Sequence, residues 1–286
     1  MNKKILVIGS SGMLGHIVVM YLRERGYIVN DISFHNKMDK DTILLNVTDE
    51  NTIQVFLKNK KFDYIINCAA LLVNDSNLNK VEAIKINALF PHWLERFYSN
   101  TDTKIIQVST AGVFYGDKAP YYEDDRSDAI SFYGKTKSLG ELCNEKDLTI
   151  RSDYFGPDIK SSGKSLFNWA LQQKEKVNGY SRVYINGVTS LEFAKFIDYV
   201  IQNPIHGNIN LYSKDVISKA ELITKIYTYM NRNVTIICDS KIERNTSICN
   251  KRNDCKYINK TYDQQLLELV DWINSHKELY KHYYIR

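Results

Sequence analysis

The chain has 286 residues, enough for one large domain or two small ones with a hydrophobic core. Its composition is globular, 44% hydrophobic and 25% charged, and its net charge of +5 is spread along the chain. This distribution lacks the basic stripe of a nucleic-acid-binding protein, and no apolar run approaches the ~20 residues of a membrane helix. We therefore expect no nucleic-acid partner, no membrane partner and no secretory leader.

The five cysteines are odd in number and scattered, which favours reduced thiols and a cytoplasmic location over a disulfide framework. Cys249 and Cys255 have no neighbouring pair of His or Cys ligands. No metal site is expected.

The first half of the chain alternates strand-like and helix-like segments. Apolar, strand-like runs lie at residues 4–8, 27–32, 64–68, 105–109 and 148–151. Helical spacing of apolar residues lies at residues 14–25, 48–58, 80–99 and 133–145. Thr48 and Asn51 are candidate caps of the second helix, and the third should kink or restart near Pro91. This alternation predicts an α/β fold with a Rossmann-type doubly wound parallel sheet.

The rhythm changes after about residue 152. Helices are predicted at residues 165–174 and 219–230, and short strands at residues 183–185 and 234–238. The polar segment 244–260 is predicted to be a long surface loop. We expect residues 1–152 to form an NAD(P)-binding Rossmann domain, to which residues 186–201 return. Residues 153–286 then form mainly a smaller C-terminal substrate-binding α/β domain.

A glycine-rich turn directly follows the first predicted strand. Gly9 permits the tight turn, Gly12 lets the backbone approach a phosphate, and Gly15 lets the next helix pack close to the sheet. The helix N-terminus would offer free N–H groups to the pyrophosphate of a dinucleotide. The alternative is a strand–helix turn without a ligand. The expected contacts are Gly9, Ser11, Gly12, Met13, Leu14 and Gly15.

The end of the second strand normally selects the cofactor. It falls near Ser33, and Ser33 with His35 and Lys37 can receive a 2′-phosphate, which favours NADPH. Asp31 comes two residues earlier and is expected to point elsewhere. If Asp31 instead holds the adenine ribose, the cofactor is NADH.

Two further segments are expected along the cofactor. Asn46 and Val47 end the third strand, where the adenine would lie. Ala69 and Ala70 are small, as needed where the backbone passes under a nicotinamide ribose, although tight packing alone also explains them.

Thr110, Tyr133 and Lys137 are the candidate catalytic residues. A phenol has an ordinary pKa near ~10, and a lysine one helical turn away can lower it. Tyr133 would then protonate a carbonyl oxygen held by the Thr110 hydroxyl, while a hydride reaches the carbonyl carbon. The alternative is a surface Tyr and Lys on an amphipathic helix.

These stretches resemble the extended short-chain dehydrogenase/reductases, and within them the chain is similar to the dTDP-4-dehydrorhamnose reductase family. The stretches that carry the resemblance are residues 62–70 (FDYIINCAA), 84–91 (IKINALFP), 108–116 (VSTAGVFYG), 133–141 (YGKTKSLGE) and 150–152 (IRS). The resemblance implies a reductase of a nucleoside-diphosphate 4-keto-6-deoxy sugar for surface polysaccharide synthesis. It also implies the Thr110, Tyr133 and Lys137 trio, Asn87 near the cofactor, and a homodimer in some members.

The chain departs from that family beside the site. The family's Ser-Thr-Asp is Ser109-Thr110-Ala111 here, so an acidic residue is missing. This departure argues against a dehydratase. An epimerase with tightly bound NAD and a non-catalytic cofactor-binding regulatory relative remain the alternatives to a reductase.

Substrate contacts are expected mainly from the second half of the chain. Lys160, Lys164 and Arg182 could pair with the diphosphate, and Trp169 or Tyr180 could stack on the base. The alternatives are a solvated side chain for each basic residue and core packing for each aromatic residue. The expected substrate contacts are Val73, Tyr154, Trp169 and Arg182.

Overall fold

In the computed structural model, which describes residues 3–284, seven parallel strands form the central sheet. These strands are β1 (Lys4–Ile8), β2 (Ile28–Ser33), β3 (Ile43–Leu44), β4 (Tyr64–Asn67), β5 (Lys104–Val108), β6 (Leu148–Arg151) and β11 (Gly207–Asn210). Their order is β11-β6-β5-β4-β1-β2-β3, so the strand order reverses between β1 and β4. The predicted fold class is confirmed, and ligands of such sheets bind beyond the carboxyl ends of the strands at this reversal.

Small sheets and ladders build the remainder of the C-terminal half. The strands are β7 (Tyr154–Phe155), β8 (Lys176–Tyr180), β9 (Val183–Ile185), β10 (Val188–Thr189), β12 (Ile217–Ser218), β13 (Thr235–Asp239) and β14 (Arg244–Asn245). They pair as β10-β7, β12-β9-β14 and β13-β8.

Helices cover both faces of the central sheet. They are α1 (Gly15–Glu24), α2 (Glu50–Leu57), α3 (Val73–Leu78), α4 (Lys80–Ala83), α5 (Phe90–Phe97), α6 (Phe132–Leu139), α7 (Leu166–Gln172), α8 (Ser190–Gln202), α9 (Lys219–Tyr229) and α10 (Tyr262–Ser275). Helices α1 and α8 pack together on one face, while α2 and α5 cover the other. Within residues 3–284, no helix combines the length and apolarity needed to cross a bilayer.

Strand β1 shows why the sheet must be covered twice. Ile5 and Val7 are buried in the core on the α1 and α8 face, and Leu6 and Ile8 in the core on the α2 and α5 face. Burying each such side chain contributes about 1.5–3 kcal/mol, so both layers stabilise the same strand.

The chain after residue 152 contributes to the central layers through α8 and β11, which pairs with β6. The return of residues 186–201 and the division into 1–152 and 153–286 stay predictions, because the two halves share this packing.

Several predicted element ends are wrong. Asp49, not Thr48 or Asn51, caps α2, because its carboxylate accepts the Thr52 N–H at 3.1 Å. Helix α6 ends at Leu139 rather than near residue 145. Gly140, which follows this end, packs so closely against the backbone of Asn87 that a Cβ at Gly140 would lie 1.9 Å from the Asn87 carbonyl oxygen.

The predicted helix 80–99 is broken into α4, a π-helical turn (Ile84–Leu89) and α5. Pro91 lies in the first turn of α5, where its missing N–H costs no hydrogen bond. Single π-helical turns redirect a side chain within a helix, and here the turn carries Asn87.

Segment 244–260 is not the predicted surface loop throughout. Ile248 is fully buried, and its backbone N–H and carbonyl both bond to the Asn186 side chain, at 2.9 and 2.8 Å. The segment also pairs with distant parts of the chain, through β14 with β9 and through a β-bridge between Ile248 and Tyr121, and its polar sequence does not show these pairings.

A buried ion pair joins the end of α6 to β6. The Arg151 guanidinium donates to both carboxylate oxygens of Glu141, at 2.9 and 2.7 Å. The Ser109 hydroxyl donates to the same carboxylate at 2.7 Å, and Arg151 lies 5.2 Å from the Phe114 ring centre. The pair therefore holds together three segments that leave the sheet at its carboxyl edge.

The variant Glu141→Gln should lower the free energy of unfolding by about 3–5 kcal/mol, because it leaves the Arg151 charge buried without its counter-ion. Urea unfolding measures this. The matched control is Glu278→Gln, whose partner Lys281 and own side chain are 64% and 88% exposed. It should change stability by less than about 0.5 kcal/mol. Equal effects of the two variants would contradict a structural role for the buried pair.

Candidate functional site

The glycine turn after β1 is tightly packed against its neighbours. Gly9 has a φ of +87°, and a Cβ there would lie 2.8 Å from the Ala69 backbone nitrogen. A Cβ at Gly15 would lie 2.1 Å from the Gly9 carbonyl oxygen. The Gly9 and Ser10 N–H groups both donate to the Ile32 carbonyl, at 2.9 and 3.0 Å. Only glycines at these positions let the turn, α1 and the loop after β4 approach one another this closely.

The N-terminus of α1 offers unpaired donors at this turn. No side chain caps the helix at Leu14, and the first turn carries no acidic residue. Its N–H groups and the positive end of its dipole suit the phosphates of a dinucleotide. The Leu14 side chain itself lies in the core, whereas Ser11, Gly12 and Met13 retain exposed surface.

The end of β2 leaves the predicted cofactor selectors in different positions. Asp31 is buried and its carboxylate accepts Arg23 at 2.7 Å, so it points away from the turn. Ser33 is also buried, with its hydroxyl bonded to that of Ser11. His35 and Lys37 are exposed beyond it, and the ring of His35 is tilted against that of Phe34 with 3.8 Å between ring centres.

The other predicted cofactor residues follow the strand ends along the sheet. Asn46 shapes its own turn by accepting the Thr48 N–H at 3.0 Å, and Val47 packs against the core. Ala69 and Ala70 are half-buried next to Gly9, where larger side chains would close the approach.

Asn87 lies behind the cleft rather than in it. It is fully buried, accepts the Leu71 N–H at 2.8 Å, and donates to the Leu71 carbonyl at 3.0 Å and the Thr136 hydroxyl at 3.2 Å. The expected cofactor contact of Asn87 stays a prediction. The Asn87 side chain fixes the loop after β4 to α6.

The catalytic candidates meet at a cavity of about 470 Å³ beyond the carboxyl ends of β1, β4, β5 and β6. Met13 from the glycine turn, Thr110 after β5 and Tyr133 on α6 all line it. Ser131 begins α6 by accepting the Gly134 N–H at 3.1 Å, which fixes the turn that carries Tyr133.

Lys137 lies beneath this cavity, one helical turn after Tyr133. Its side chain is 2% exposed, and its ammonium donates to the Val108 carbonyl at 2.6 Å. Burial lowers the pKa of Lys137 to about 8, although the Glu141 carboxylate and the Cys68 thiol oppose this shift.

The pKa of Tyr133 moves in the direction opposite to the expectation. Burial and then the Asp153 carboxylate raise the pKa of its phenol, while a hydrogen bond with Thr110 lowers it. Lys137 does not offset these effects in the protein alone. Tyr133 is therefore held as a protonated phenol, the form that can donate a proton.

Two of the predicted substrate residues lie in the cavity and two do not. Val73 and Tyr154 line it. Arg182 is exposed and paired with Glu243 in the turn between β8 and β9, and Trp169 is on a part of α7 that does not line the cavity. Neither expected contact is supported, because β8 and α7 direct these side chains elsewhere.

Sequence reasoning missed other cavity residues. Asp153, Lys219 and Arg244 line the cavity from the end of β6, the start of α9 and β14. Arg244 is anchored by donating to the Phe114 and Tyr115 carbonyls, each at 2.7 Å. The position of Asp153 directly after a strand was the available signal; the other two depended on unpredicted tertiary packing.

A buried chain of hydrogen bonds links the glycine turn to the C-terminal segment. The His16 Nδ1–H donates to the Gly12 carbonyl at 2.9 Å, so Nε2 accepts the Tyr280 hydroxyl at 2.8 Å. The Trp272 indole N–H donates to that hydroxyl at 3.3 Å. Burial lowers the pKa of His16 to about 4.

Residues 3–151, just over half of the chain, match the family model described as "RmlD substrate binding domain". The chain belongs to this family. The resemblance to dTDP-4-dehydrorhamnose reductases is thereby confirmed.

Relatives of this chain are named for different roles. The dTDP-4-dehydrorhamnose reductase of Mycolicibacterium smegmatis is 29% identical over 144 residues, 49% of this chain and 41% of that protein. Methionine adenosyltransferase 2 subunit beta of Xenopus laevis is 28% identical over 169 residues, 57% of this chain and 50% of that protein. The chain thus spans about half the length of the curated relatives it matches.

The fold extends over the whole chain in solved structures. A dTDP-4-dehydrorhamnose reductase from Bacillus anthracis, solved in complex with NADP, has a TM-score of 0.80 and 20% identity. The superposition covers 95% of this chain and 100% of that one. The RmlD-family match therefore coincides with the glycine turn and the catalytic candidates, and the shared fold includes the C-terminal half.

Acidification should destabilise the protein through His16. Because the pKa of His16 is lowered from 6.5 to about 4, the unfolded chain binds more protons between these values and stability falls with falling pH. His16→Gln keeps an amide in place of the ring but cannot titrate. The wild type should lose roughly 3 kcal/mol more than His16→Gln between pH 7 and pH 4, measured by urea unfolding. Parallel losses in both proteins would contradict the assignment.

Proposed function

We propose that the protein is an NAD(P)H-dependent reductase of a nucleoside-diphosphate 4-keto-6-deoxy sugar in deoxysugar synthesis, with NADPH as the favoured cofactor. The observation that carries the proposal is that Thr110 and Tyr133 line one cavity beside the glycine turn, while the ammonium of Lys137 is buried one helical turn after Tyr133. A relative of the same family is named for reduction of such a sugar.

The residues present fit a dinucleotide. A Cβ at Gly9 or Gly15 would fill the space that the turn needs, and the N-terminus of α1 has no side-chain cap. The turn and α1 would hold the pyrophosphate, and Ala69 and Ala70 would line the nicotinamide ribose. When bound, the reduced nicotinamide supplies the hydride.

In this reaction the protein's own side chains supply a proton and position the donor. Tyr133 gives the phenolic proton to the carbonyl oxygen of the sugar. The buried ammonium of Lys137 stabilises the phenolate that this transfer leaves behind, because an opposite charge nearby favours the ionised form. Thr110 lines the same cavity beside this phenol.

Basic side chains suit the charged end of the substrate. Lys164, Lys219 and Arg244 all line the cavity. Lys164 pairs with Asp75 at 3.1 Å across the cavity, so a diphosphate would compete with this carboxylate. These residues replace Arg182 as the proposed diphosphate contacts.

A cofactor-binding regulatory role is the competing function, because a subunit of methionine adenosyltransferase is also among the relatives. The convergent trio favours catalysis, since regulation by binding alone needs no proton donor. An epimerase would carry tightly bound NAD through purification, which separates it from a reductase.

The decisive experiment follows the absorbance of NADPH or NADH with a panel of nucleoside-diphosphate 4-keto-6-deoxy sugars. Loss of absorbance that depends on the sugar supports the reductase. No loss with any sugar, together with NAD retained on the purified protein, would replace it with the epimerase.

A homodimer and a cytoplasmic location stay predictions. Leu78, Val81 and Leu139, on or beside the helices that flank the site, are 80%, 66% and 66% exposed, which suits an apolar contact between two copies.

Replacing Tyr133 with Phe should lower kcat by about 10²- to 10⁴-fold, because the variant keeps the ring but has no proton to donate. The dissociation constant for NADPH should stay within about twofold, a free-energy change under ~0.5 kcal/mol. Stopped-flow turnover and fluorescence titration measure the two quantities. The control is Tyr284→Phe, an exposed tyrosine bonded to Asn274. Unchanged turnover in Tyr133→Phe would remove this residue from the mechanism.

Lys37→Glu should weaken NADPH binding by about 5- to 10-fold and leave NADH binding nearly unchanged, because only NADPH carries the 2′-phosphate. Fluorescence titration with each cofactor gives both constants. Lys40→Glu is the matched control, since Lys40 is exposed on the same loop but further from Ser33. Equal weakening for NADPH and NADH would show that Lys37 does not read the 2′-phosphate.

A further inference from the structure

The cavity contains a carboxylate that the proposed mechanism does not use. Asp153 follows β6 directly, and Thr110 lies two residues beyond the end of β5. These strands are neighbours in parallel register, with Val108 opposite Ile150. The two side chains therefore meet at the carboxyl edge, where the Thr110 hydroxyl donates to Asp153 Oδ1 at 2.9 Å.

This hydrogen bond limits what Thr110 can do. A threonine hydroxyl has one proton, and here that proton is directed at Asp153. The same oxygen accepts the Gly112 N–H at 3.0 Å. Thr110 is therefore oriented by Asp153.

The backbone of Asp153 is held rigidly. Its carbonyl accepts the Val188 N–H and the Ser152 hydroxyl, each at 2.8 Å. A Cβ at Gly187 would lie 2.2 Å from that carbonyl oxygen. The carboxylate therefore projects from a fixed point of the cavity wall.

The second oxygen of this carboxylate is available to a ligand. Within residues 3–284, the Asp153 carboxylate has Thr110 as its only hydrogen-bond partner and forms no ion pair. Oδ2 is not among the buried atoms without a partner, and the residue lines the cavity. Two of the three basic residues of the cavity are held elsewhere, Lys164 by Asp75 and Arg244 by two carbonyls.

Charge decides which part of a substrate can lie there. An ionised carboxylate accepts hydrogen bonds and repels phosphate, so the diphosphate must lie away from it. The ring hydroxyls of the sugar are the donors that fit. Because Thr110 lies beside Tyr133, the hydroxyl concerned is the one on the carbon next to the ketone.

We propose that Asp153 is the specificity-determining residue of the site: one carboxylate oxygen orients Thr110, and the other accepts the substrate hydroxyl next to the reacting ketone. This rests on the proposed function for the identity of the sugar. The position directly after Thr110 offers no carboxylate for this purpose, since it is the buried Ala111.

The test compares two substrates, a dTDP-4-keto-6-deoxyhexose and its 3-deoxy analogue, on the wild type, Asp153→Asn and Asp153→Ala. The wild type should prefer the hydroxylated sugar by about 10- to 100-fold in kcat/KM, as a hydrogen bond to a charged group provides. Asp153→Ala should lower kcat/KM for the hydroxylated sugar and bring the preference to within about threefold. Asp153→Asn keeps the shape and one acceptor, so its preference should be intermediate.

Asp75→Asn is the matched control, because Asp75 is a second carboxylate that lines the cavity but does not contact Thr110. Whatever its effect on rate, it should retain the wild-type preference. An equal loss on both sugars in Asp153→Ala would overturn the proposal, since it would mean that Asp153 acts through structure alone. Unfolding and NADPH titrations identify a variant that fails to fold, and Asp153→Asn then decides the outcome.

A binding arm separates this proposal from the proposed function. Calorimetric titration uses dTDP-6-deoxyhexose and its 3-deoxy counterpart in the presence of NADP. A wild-type preference that Asp153→Ala abolishes supports the proposal even if no 4-keto sugar is reduced, an outcome that would end the reductase proposal alone. Equal affinities, or no binding, would overturn the role of Asp153.

Discussion

The buried contact between Glu141 and Arg151 is the interaction on which the site depends. The Glu141 carboxylate also accepts the Ser109 hydroxyl, and it is the main group that opposes the lowering of the pKa of Lys137. Thr110 follows Ser109 directly in the chain, and Asp153 lies two residues after Arg151. This one ion pair therefore links the ends of β5 and β6, which lead to Thr110 and Asp153. The same Glu141 carboxylate also favours the charged form of Lys137 below the cavity.

Close backbone approach is the second constraint, and it explains why the cleft can be narrow. Gly15 against Gly9 closes the glycine turn, and Gly140 against Asn87 brings α6 onto the π-helical turn. Asn87 then joins the loop after β4 to the same helix. The helix that carries Tyr133 and Lys137 is thus positioned by contacts behind the cleft rather than by contacts within it.

Sequence patterns predicted the sheet well because its strands are buried on both faces and read as continuous apolar runs. The positions of Gly9, Thr110 and Tyr133 followed from that register. The pairings that tune the site were not accessible: besides burial, the pKa of Tyr133 depends on Asp153, which lies 20 positions further along the chain, just beyond the end of β6. The side-chain directions of Trp169 on α7 and of Arg182 in the turn between β8 and β9 depend on tertiary packing, which the sequence pattern does not show.

The hydrogen bond between His16, which also bonds to Gly12, and Tyr280 joins residues that are 264 positions apart in the chain. A ribosome releases Gly12 early and Tyr280 late, so the first half of the protein leaves the exit tunnel with this hydrogen-bond chain unmade. At that stage the central sheet also lacks strand β11 and the helix α8 that covers one of its faces. The turn that would hold a dinucleotide therefore acquires its final packing only after translation has passed residue 280.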